Sequence, residues 1–247
     1  MGSPNFRFKQ FTVWHDRCAM KVGTDGVLLG AWCPLGVDEA TRQGEYKILD
    51  IGTGSGLIAL MLAQRATSID DPPIVIDTID IDAGAAEQAK FNFEQSPWSK
   101  LLRIYQSSLQ EWQSEKEYDL IVSNPPYFQS SLKNPDAQRA TARHTDSLSY
   151  SELIKHSGRL LKNNGILALV LPIEAEEEIL SLAAAAGLLP THITYVHTKP
   201  GKPAKRILIA LRKGDANGNV ESKHFYIESE DSPRSEEYRK LTEDFYL

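Results

Sequence analysis

The stretch KILDIGTGSG, residues 47–56, decides the fold of this 247-residue chain. Its first half is a compact apolar run, as expected of a strand that is covered on both faces of a sheet. Its second half has glycine at positions 52, 54 and 56 and leads directly into a helical pattern. Glycines at such a turn let the backbone bend sharply and let a ligand approach closely. The stretch therefore predicts a strand, a ligand-binding loop and a helix in succession.

The rest of the chain repeats this alternation. The strand candidates are Lys47–Ile51, Ile74–Ile79, Leu101–Gln106, Tyr118–Ser123, Ile166–Leu171, Thr191–Thr198 and Arg206–Leu211. The helix candidates are Thr24–Trp32, Leu57–Arg65, Ala83–Gln95, Ser149–Leu161, Ile173–Ala186 and a last helix from about Ser235. Gly165 and Gly187 follow two of these helices, where a left-handed residue commonly ends a helix.

This pattern predicts an α/β, Rossmann-like fold with a seven-stranded, mostly parallel sheet and helices on both faces. Only a loop separates the last two strand candidates, which indicates a terminal antiparallel hairpin. We expect one domain over residues 1–247, in which 1–45 form an N-terminal lid or extension. Residues 46–213 would form the Rossmann-like core, and 214–247 would supply a C-terminal strand and helix.

Composition excludes several classes of protein. With 41% apolar and 24% charged residues, the chain has enough apolar surface to fold, so general disorder is excluded. Its two cysteines, Cys18 and Cys33, show no metal-ligand spacing, which argues against a zinc site or a disulfide scaffold. The longest nearly apolar stretch, Ile179–Leu189, is too short to cross a bilayer. We therefore expect a cytoplasmic protein with no membrane partner and no metal.

The glycine loop and the end of the second strand predict a nucleotide-like ligand. A dinucleotide fingerprint needs its third glycine where Leu57 stands, whereas the spacing here resembles the S-adenosylmethionine loop of Rossmann-like methyltransferases. Asp50 would orient the loop or the amino group of the ligand. Asp80, at the carboxyl end of the second strand, can accept both ribose hydroxyls, which leaves Ile81 to cover the adenine. The alternative is that the glycines only turn the chain and the acids only cap a helix.

The fourth strand candidate ends in the motif Asn124-Pro125-Pro126-Tyr127. The prolines stop the strand and hold Asn124 at the carboxyl edge of the sheet, where ligands of open α/β sheets bind. A conjugated amino group is a poor nucleophile because its lone pair is delocalised. The Asn124 side-chain oxygen and the Pro125 carbonyl could accept both of its N–H bonds, which would free that lone pair, while Tyr127 stacks on the base. A glutamine side-chain amide offers the same kind of NH₂ group, so the motif alone leaves the substrate open.

The chain resembles the bacterial valine-tRNA adenine-N6 methyltransferases, which have the class I methyltransferase fold. The resemblance covers nearly the whole chain and is strongest in FKQFTVWHDRCAMKVGTDGVLLGAW, DIGTGSGLIALMLAQR, FNFEQSPW, YDLIVSNPPYF and YRKLTEDFYL. It implies methyl transfer from S-adenosylmethionine to N6 of an adenine in tRNA, at adenine 37 of a valine tRNA. It also implies that Lys21, Gly23, Thr24 and Asp25 help to close over the cofactor. The family usually has an acid after the third strand, and Ser108 stands in its place here.

The distribution of charge is compatible with an RNA partner despite a net charge of −6. Six basic residues and no acid lie between Lys199 and Lys213. The RNA-binding candidates are Lys133, Arg139 and Arg143 in a long polar stretch, and Lys199, Lys202, Lys205 and Arg206 in the predicted hairpin. We expect a tRNA substrate and favour a monomer.

Other functions remain compatible with these motifs. A guanine-N2 methyltransferase of ribosomal RNA is the nearest enzymatic alternative. A protein-glutamine N5 methyltransferase shares the motif at 124–127, but that family usually has a helical domain before the glycine loop. A non-catalytic binding module is the alternative from a different class, and an intact Asn124 motif argues against it.

Overall fold

The computed structural model describes residues 3–18, 21–35, 44–67, 73–115, 117–126, 148–214 and 219–247 of the chain. Its strands, in chain order, are β1 (Asn5–Arg7), β2 (Thr12–Trp14), β3 (Tyr46–Ile51), β4 (Ile74–Asp80), β5 (Leu102–Gln106), β6 (Tyr118–Ser123), β7 (Leu161–Pro172), β8 (Leu188–His197), β9 (Ala204–Lys213) and β10 (Glu221–Tyr226). β1 and β2 pair with each other, and the other eight form one sheet in the order β10-β8-β9-β7-β6-β3-β4-β5. Among these eight strands, β9 alone runs antiparallel to its neighbours.

The helices occupy the positions that the sequence predicts. They are α1 (Thr24–Trp32), α2 (Leu57–Thr67), α3 (Ala83–Glu94), α4 (Tyr150–Leu160), α5 (Glu176–Ala185) and α6 (Glu236–Thr242). A short 3₁₀ turn, Ile173–Ala175, precedes α5. In the described part of the chain, no helix combines the length and hydropathy that crossing a bilayer requires.

The sheet separates two hydrophobic cores, as expected for strands that are buried on both faces. In β3 all six residues are buried. Ile48 of this strand contributes to the core beneath α1, α2 and α3, whereas Leu49 and Ile51 contribute to the core beneath α4 and α5. The prediction of an α/β fold with helices on both faces is therefore confirmed.

Two details of the prediction are wrong. The main sheet has eight strands rather than seven, because β10 pairs in parallel with β8 and the β8–β9 hairpin is followed by a further edge strand. Gly165 is not left-handed; the residue before it in β7, Asn164, has the positive φ, 66°. Gly165 is a glycine for a different reason, since a Cβ there would lie 2.9 Å from the Lys162 carbonyl oxygen. Gly187 has the expected left-handed conformation.

The order of the strands creates a crevice at the carboxyl edge of the sheet. The chain proceeds outward from β3 to β4 and β5, and then returns to place β6 on the other side of β3. Ile51 at the end of β3 pairs with Ser123 at the end of β6. The glycine loop and Asn124 therefore leave the sheet side by side. Such a reversal of strand order is where ligands of open α/β sheets bind.

Helix α1 packs closely on α2 through a glycine. A Cβ on Gly30 would lie 2.8 Å from the sulfur of Met61 and 3.0 Å from its Cβ. The contact with the sulfur is shorter than real Cβ atoms show, and the contact with the Met61 Cβ is tighter than nearly all of them, so a side chain at position 30 would force Met61 or the helices to move.

We expect Gly30→Ala to lower the free energy of unfolding by about 1–3 kcal/mol, the usual effect of overpacking a filled core. Gly158→Ala is the matched control, because it is also in a helix but its Cβ would meet atoms no closer than 3.7 Å. The control should gain up to about 1 kcal/mol from the better helix propensity of alanine. Urea unfolding of the three proteins measures both effects. Equal stability of the two variants would contradict the close packing of α1 on α2.

Candidate active site

The glycine loop after β3 has a conformation that only glycine adopts easily. Gly52, Gly54 and Gly56 have φ values of 69°, 56° and 81°. The backbone N–H groups of Gly52 and Thr53 donate to the Ile79 carbonyl oxygen at 2.9 and 3.1 Å, which fixes the loop to β4. Apart from each glycine itself and its two chain neighbours, no described residue has an atom within 4 Å of where a Cβ on Gly52 or Gly54 would be, so the loop offers bare backbone to the crevice.

Asp80 fixes the same loop from the end of β4. Its Oδ2 accepts a hydrogen bond from the Gly54 N–H at 2.8 Å, and its Oδ1 accepts one from the Asp82 N–H at 3.0 Å. Burial raises the pKa of Asp80, while these backbone N–H groups oppose the rise. Each carboxylate oxygen retains acceptor capacity for a ligand. Asp80 therefore shapes the loop and lines the crevice at once.

Asp50 lies behind the loop rather than in the crevice. It is fully buried, and its Oδ2 accepts a hydrogen bond from the Thr53 hydroxyl at 2.7 Å. Its Oδ1 has no hydrogen-bond partner among the described residues. Burial raises the pKa of Asp50 to about 7, the Thr53 hydroxyl opposes the rise, and the nearby Asp80 adds to it. The geometry gives Asp50 a role in holding the loop.

A cavity of about 300 Å³ opens beside the loop at the carboxyl ends of β3, β4 and β5. Asp80, Ile81 and Ser108 line it, as the sequence predicts. Ile81 is 53% exposed, which is unusual for an isoleucine and leaves an apolar surface facing the space. The Ser108 hydroxyl accepts from the Glu111 N–H and donates to the Glu111 carboxylate, both at 3.2 Å. Ser108 thus begins a turn in this wall of the cavity.

A second cavity, of about 360 Å³, lies on the other side of the loop. It is lined by Lys21, Gly23, Thr24 and Asp25, the residues that the family resemblance selects. The two cavities share Gly52, Gly54, Asn124, Pro125 and Pro126. Asn124 is half-buried, and the preceding Ser123 hydroxyl donates to the Ile51 carbonyl oxygen at 2.8 Å. The asparagine is therefore placed where the two spaces meet.

Some of the predicted site residues lie elsewhere. Gly56 lines neither cavity; a Cβ there would lie 2.4 Å from Phe93, so this glycine allows α3 to pack against the loop. Four further candidates, Tyr127, Lys133, Arg139 and Arg143, lie outside the described residues.

The predicted RNA-binding residues of the hairpin divide into two groups. Lys199, Lys202 and Lys205 are exposed at or next to the tip between β8 and β9. Arg206 lines the second cavity instead, and its Nε donates to Asp25 Oδ2 at 2.9 Å. This ion pair joins β9 to the first turn of α1.

Several residues of the first cavity are not predicted from the sequence. They include Cys18, Leu109, Gln110 and Leu148. Gln110 shortly follows β5 at the carboxyl edge, a position that could have identified it, and its Nε2 donates to Glu152 at 3.2 Å. Cys18 and Leu148 come from distant parts of the chain and leave no comparable signal. Within the described ranges, His, Cys, Asp and Glu side chains form no cluster of three or more suited to a metal ion.

Comparison with known proteins gives one family. The methyltransferase small domain model matches residues 37–182. A relative from Parabacteroides distasonis is 48% identical over 100% of this chain and 99% of its own length, and one from Aeromonas salmonicida is 46% identical over 98% and 97%. Both are named tRNA1(Val) (adenine(37)-N6)-methyltransferase. The chain belongs to this tRNA1(Val) (adenine(37)-N6)-methyltransferase family. The family resemblance that the sequence motifs indicate is therefore confirmed.

Solved structures agree with the fold of this methyltransferase family. A predicted O-methyltransferase from Agrobacterium tumefaciens superposes with a TM-score of 0.63 at 15% identity, covering 90% of this chain and 96% of the other. A protein from Listeria monocytogenes, described as a class I S-adenosylmethionine-dependent methyltransferase, gives a TM-score of 0.60 at 14% identity, over 90% and 71% of the two chains. At such identities the likeness concerns the fold alone.

The raised pKa of Asp50 predicts how stability depends on pH. In the unfolded chain this carboxyl ionises near 3.8, whereas in the folded protein it stays protonated to about 7. Protonation of Asp50 therefore favours the folded state. This stabilisation is complete below pH 3.8 and is lost as the pH rises through about 7. Asp50→Asn cannot ionise, so its stability relative to the parent should rise by up to about 1.4 kcal/mol per pH unit within this window. Above the window the difference should be constant.

Urea unfolding of both proteins from pH 4.5 to 8 measures this difference. A difference that does not change with pH would mean that Asp50 is ionised in the folded protein throughout. Glu87→Gln is the control, because that carboxylate lies at the exposed surface, 3.6 Å from Arg17, where an ion pair contributes little to stability.

Proposed function

We propose that this protein transfers a methyl group from S-adenosylmethionine to N6 of adenine 37 in a valine tRNA, acting as a monomer in the cytoplasm. One observation carries the proposal: Asn124 and Pro125 lie at the junction of the two cavities, beside the bare backbone of Gly52 and Gly54. A cofactor bound over the glycine loop and a target base that enters at this junction would both reach Asn124. The names of the full-length relatives support the choice of tRNA over ribosomal RNA or a protein glutamine.

The first cavity suits the nucleoside part of S-adenosylmethionine. Asp80 offers carboxylate oxygens to the ribose hydroxyls, and Ile81 offers an apolar surface to the adenine. The open space over Gly52 and Gly54 would admit the rest of the cofactor against the loop. When bound, S-adenosylmethionine supplies an electrophilic methyl group on a sulfonium.

The chemistry of the target amine follows from Asn124 and Pro125. The Asn124 side-chain oxygen and the Pro125 carbonyl oxygen are acceptors, and an adenine amino group has two N–H donors to give them. Accepting both bonds holds the amine in place and draws its lone pair out of conjugation with the ring. Positioning of this kind is a large source of rate enhancement when two reactants must meet in one orientation. Tyr127 would hold the base by stacking.

Two variants separate cofactor binding from catalysis. Asp80→Ala should weaken S-adenosylmethionine binding by about 1.5–3 kcal/mol, as for loss of hydrogen bonds to a charged group. Asn124→Ala should leave that affinity nearly unchanged and reduce methylation of a valine tRNA transcript by a factor of about 100 or more, at least 2.7 kcal/mol of barrier. Calorimetry measures the first effect, and single-turnover methyl transfer measures the second.

Clear results would overturn these assignments. An Asn124→Ala enzyme that retains more than about a tenth of the parental rate, less than 1.4 kcal/mol of barrier, would remove Asn124 from the chemistry. Absence of S-adenosylmethionine binding by the unaltered protein would overturn the proposed function itself. A transcript with guanine at position 37 is the substrate control, since it has no adenine amine there.

RNA docking is proposed to use the exposed lysines of the β8–β9 tip. Two strands, β9 and β7, lie between β8 and β6, so β8 is three interstrand spacings, about 14 Å, from β6 across the sheet. Because β8 runs parallel to β6 and β7, its tip lies at the same edge as Asn124. Lys199, Lys202 and Lys205 project there beside the second cavity, whose wall contains Arg206. A tRNA lying across this edge would bring phosphates to the lysines and a base to Asn124.

We expect the triple variant Lys199→Gln, Lys202→Gln, Lys205→Gln to flatten the salt dependence of tRNA binding. Each lost phosphate contact should reduce the log–log slope by about 0.7–0.9, or about two to three in total. The control changes Lys90, Lys100 and Lys155 to glutamine, an equal change of charge at exposed positions elsewhere. Filter binding across a salt series measures both slopes. An unchanged slope in the tip variant would mean that the RNA docks elsewhere.

A further inference from the structure

The FNFEQSPW motif contains a buried polar residue to which the reaction gives no role. Asn92 lies on α3 and is only 1% exposed. Its Nδ2 donates to the Ser55 carbonyl oxygen of the glycine loop at 2.8 Å and to the Trp14 carbonyl oxygen at 2.8 Å. Its Oδ1 accepts a hydrogen bond from the Trp14 N–H at 3.0 Å. One side chain thus satisfies three backbone groups, two on Trp14 and one on Ser55, which are far from Asn92 and from each other in the sequence.

These three contacts require an amide. Two of the backbone partners are carbonyl oxygens and need donors, whereas the third is an N–H group and needs an acceptor. Of the side chains of this size, only that of asparagine supplies two N–H bonds and an oxygen in one plane. An aspartate would place its charge against two carbonyl oxygens, and an alanine would leave buried polar groups unpaired.

The contacts join two separate walls of the cofactor site. Ser55 belongs to the loop whose glycines are shared by both cavities. Trp14 ends β2, and the chain after it supplies Cys18 to the first cavity and Lys21 to the second. In the described structure these walls lie next to each other, and the Asn92 amide is a direct hydrogen-bonded link between them.

We propose that Asn92 is a positioning residue for S-adenosylmethionine, which fixes the glycine loop and the N-terminal segment at the spacing that the cofactor requires. It acts through the backbone at Ser55 and Trp14 and does not itself line either cavity. The inference rests on the proposed function only in taking S-adenosylmethionine as the ligand. Phe93, the next residue, packs against Gly56 and holds the same loop through an apolar contact.

The chain offers a matched control one helical turn earlier. Gln88 is also buried, at 3% exposure, and its Oε1 accepts a hydrogen bond from the Arg17 N–H at 3.1 Å. Gln88 therefore anchors the N-terminal segment to α3, and within the described residues it makes no hydrogen bond to the glycine loop. Loss of Gln88 tests general loosening of the segment, and loss of Asn92 tests the link between the two walls.

The experiment compares Asn92→Ala, Asn92→Asp and Gln88→Ala with the parent in the full-length protein. Calorimetry with S-adenosylmethionine should show Kd raised by about tenfold or more in both Asn92 variants, as expected when buried hydrogen bonds are left unpaired. The same measurement should show Kd changed by less than about threefold in Gln88→Ala. In binding free energy, that limit is half of the change expected for the Asn92 variants. Urea unfolding establishes that each variant is folded at the temperature used.

Hydrogen exchange gives a second readout that does not depend on ligand. Amides of residues 52–56 should exchange faster in the Asn92 variants and at the parental rate in Gln88→Ala, because of these two side chains only that of Asn92 is hydrogen-bonded to the loop. Unchanged Kd and unchanged loop exchange in a folded Asn92 variant would overturn the inference, as would equal effects of the Gln88 and Asn92 variants. If Asn92→Asp does not fold, the results for Asn92→Ala are judged by the same criteria. If neither variant folds, Asn92 serves general stability and the inference is overturned. Failure of the parent to bind S-adenosylmethionine would instead count against the proposed function.

Discussion

The parallel pairing of β3 with β6 is the constraint on which the rest of the structure depends. Because Ile51 and Ser123 share one register position, the loop after β3 and Asn124 after β6 leave the sheet next to each other. The reversal of strand order at this point means that no crossover helix fills the crevice between them. This one pairing brings the bare glycine backbone and the asparagine together at the point where the two cavities meet.

Buried polar side chains turn that crevice into a site of fixed shape. Asp80 accepts from Gly54, Asp50 accepts from Thr53, and Asn92 donates to Ser55, so each part of the loop is held from a different element. Left-handed glycines are entropically costly to order, and a loop with three of them depends on such bonds for a single conformation. Burial of these groups is tolerated because hydrogen bonds replace most of those lost from water, with Asp50 Oδ1 left without a partner among the described residues. The raised pKa of Asp50 is the electrostatic consequence.

The relation between sequence and structure differs from element to element. Helix α1 is found at Thr24–Trp32 as predicted, and β6 at Tyr118–Ser123, because uninterrupted apolar runs and nearby glycines and prolines mark them locally. A C-terminal strand is expected within residues 214–247, but β10 does not appear among the strand candidates with bounds, since Glu221–Tyr226 is polar on most of its residues and lies at an edge of the sheet. Arg206 belongs to a basic run, yet its partner is Asp25, far away in the sequence. Asn92 stands in a recognisable motif, but its three bonds are made to backbone that the motif does not contain.

The sequence by itself determined the fold class, the position of the glycine loop, the placement of Asn124 at a strand end and the family. These depend on short-range patterns: the period of apolar residues, the freedom of glycine and the restriction that proline imposes. Only the tertiary structure decided that Asp80 and Asn92 fasten the loop, that Asp50 lies behind it and that Arg206 pairs with α1. Such contacts join residues distant in the chain, and their geometry depends on strand order and helix packing, which no local pattern specifies.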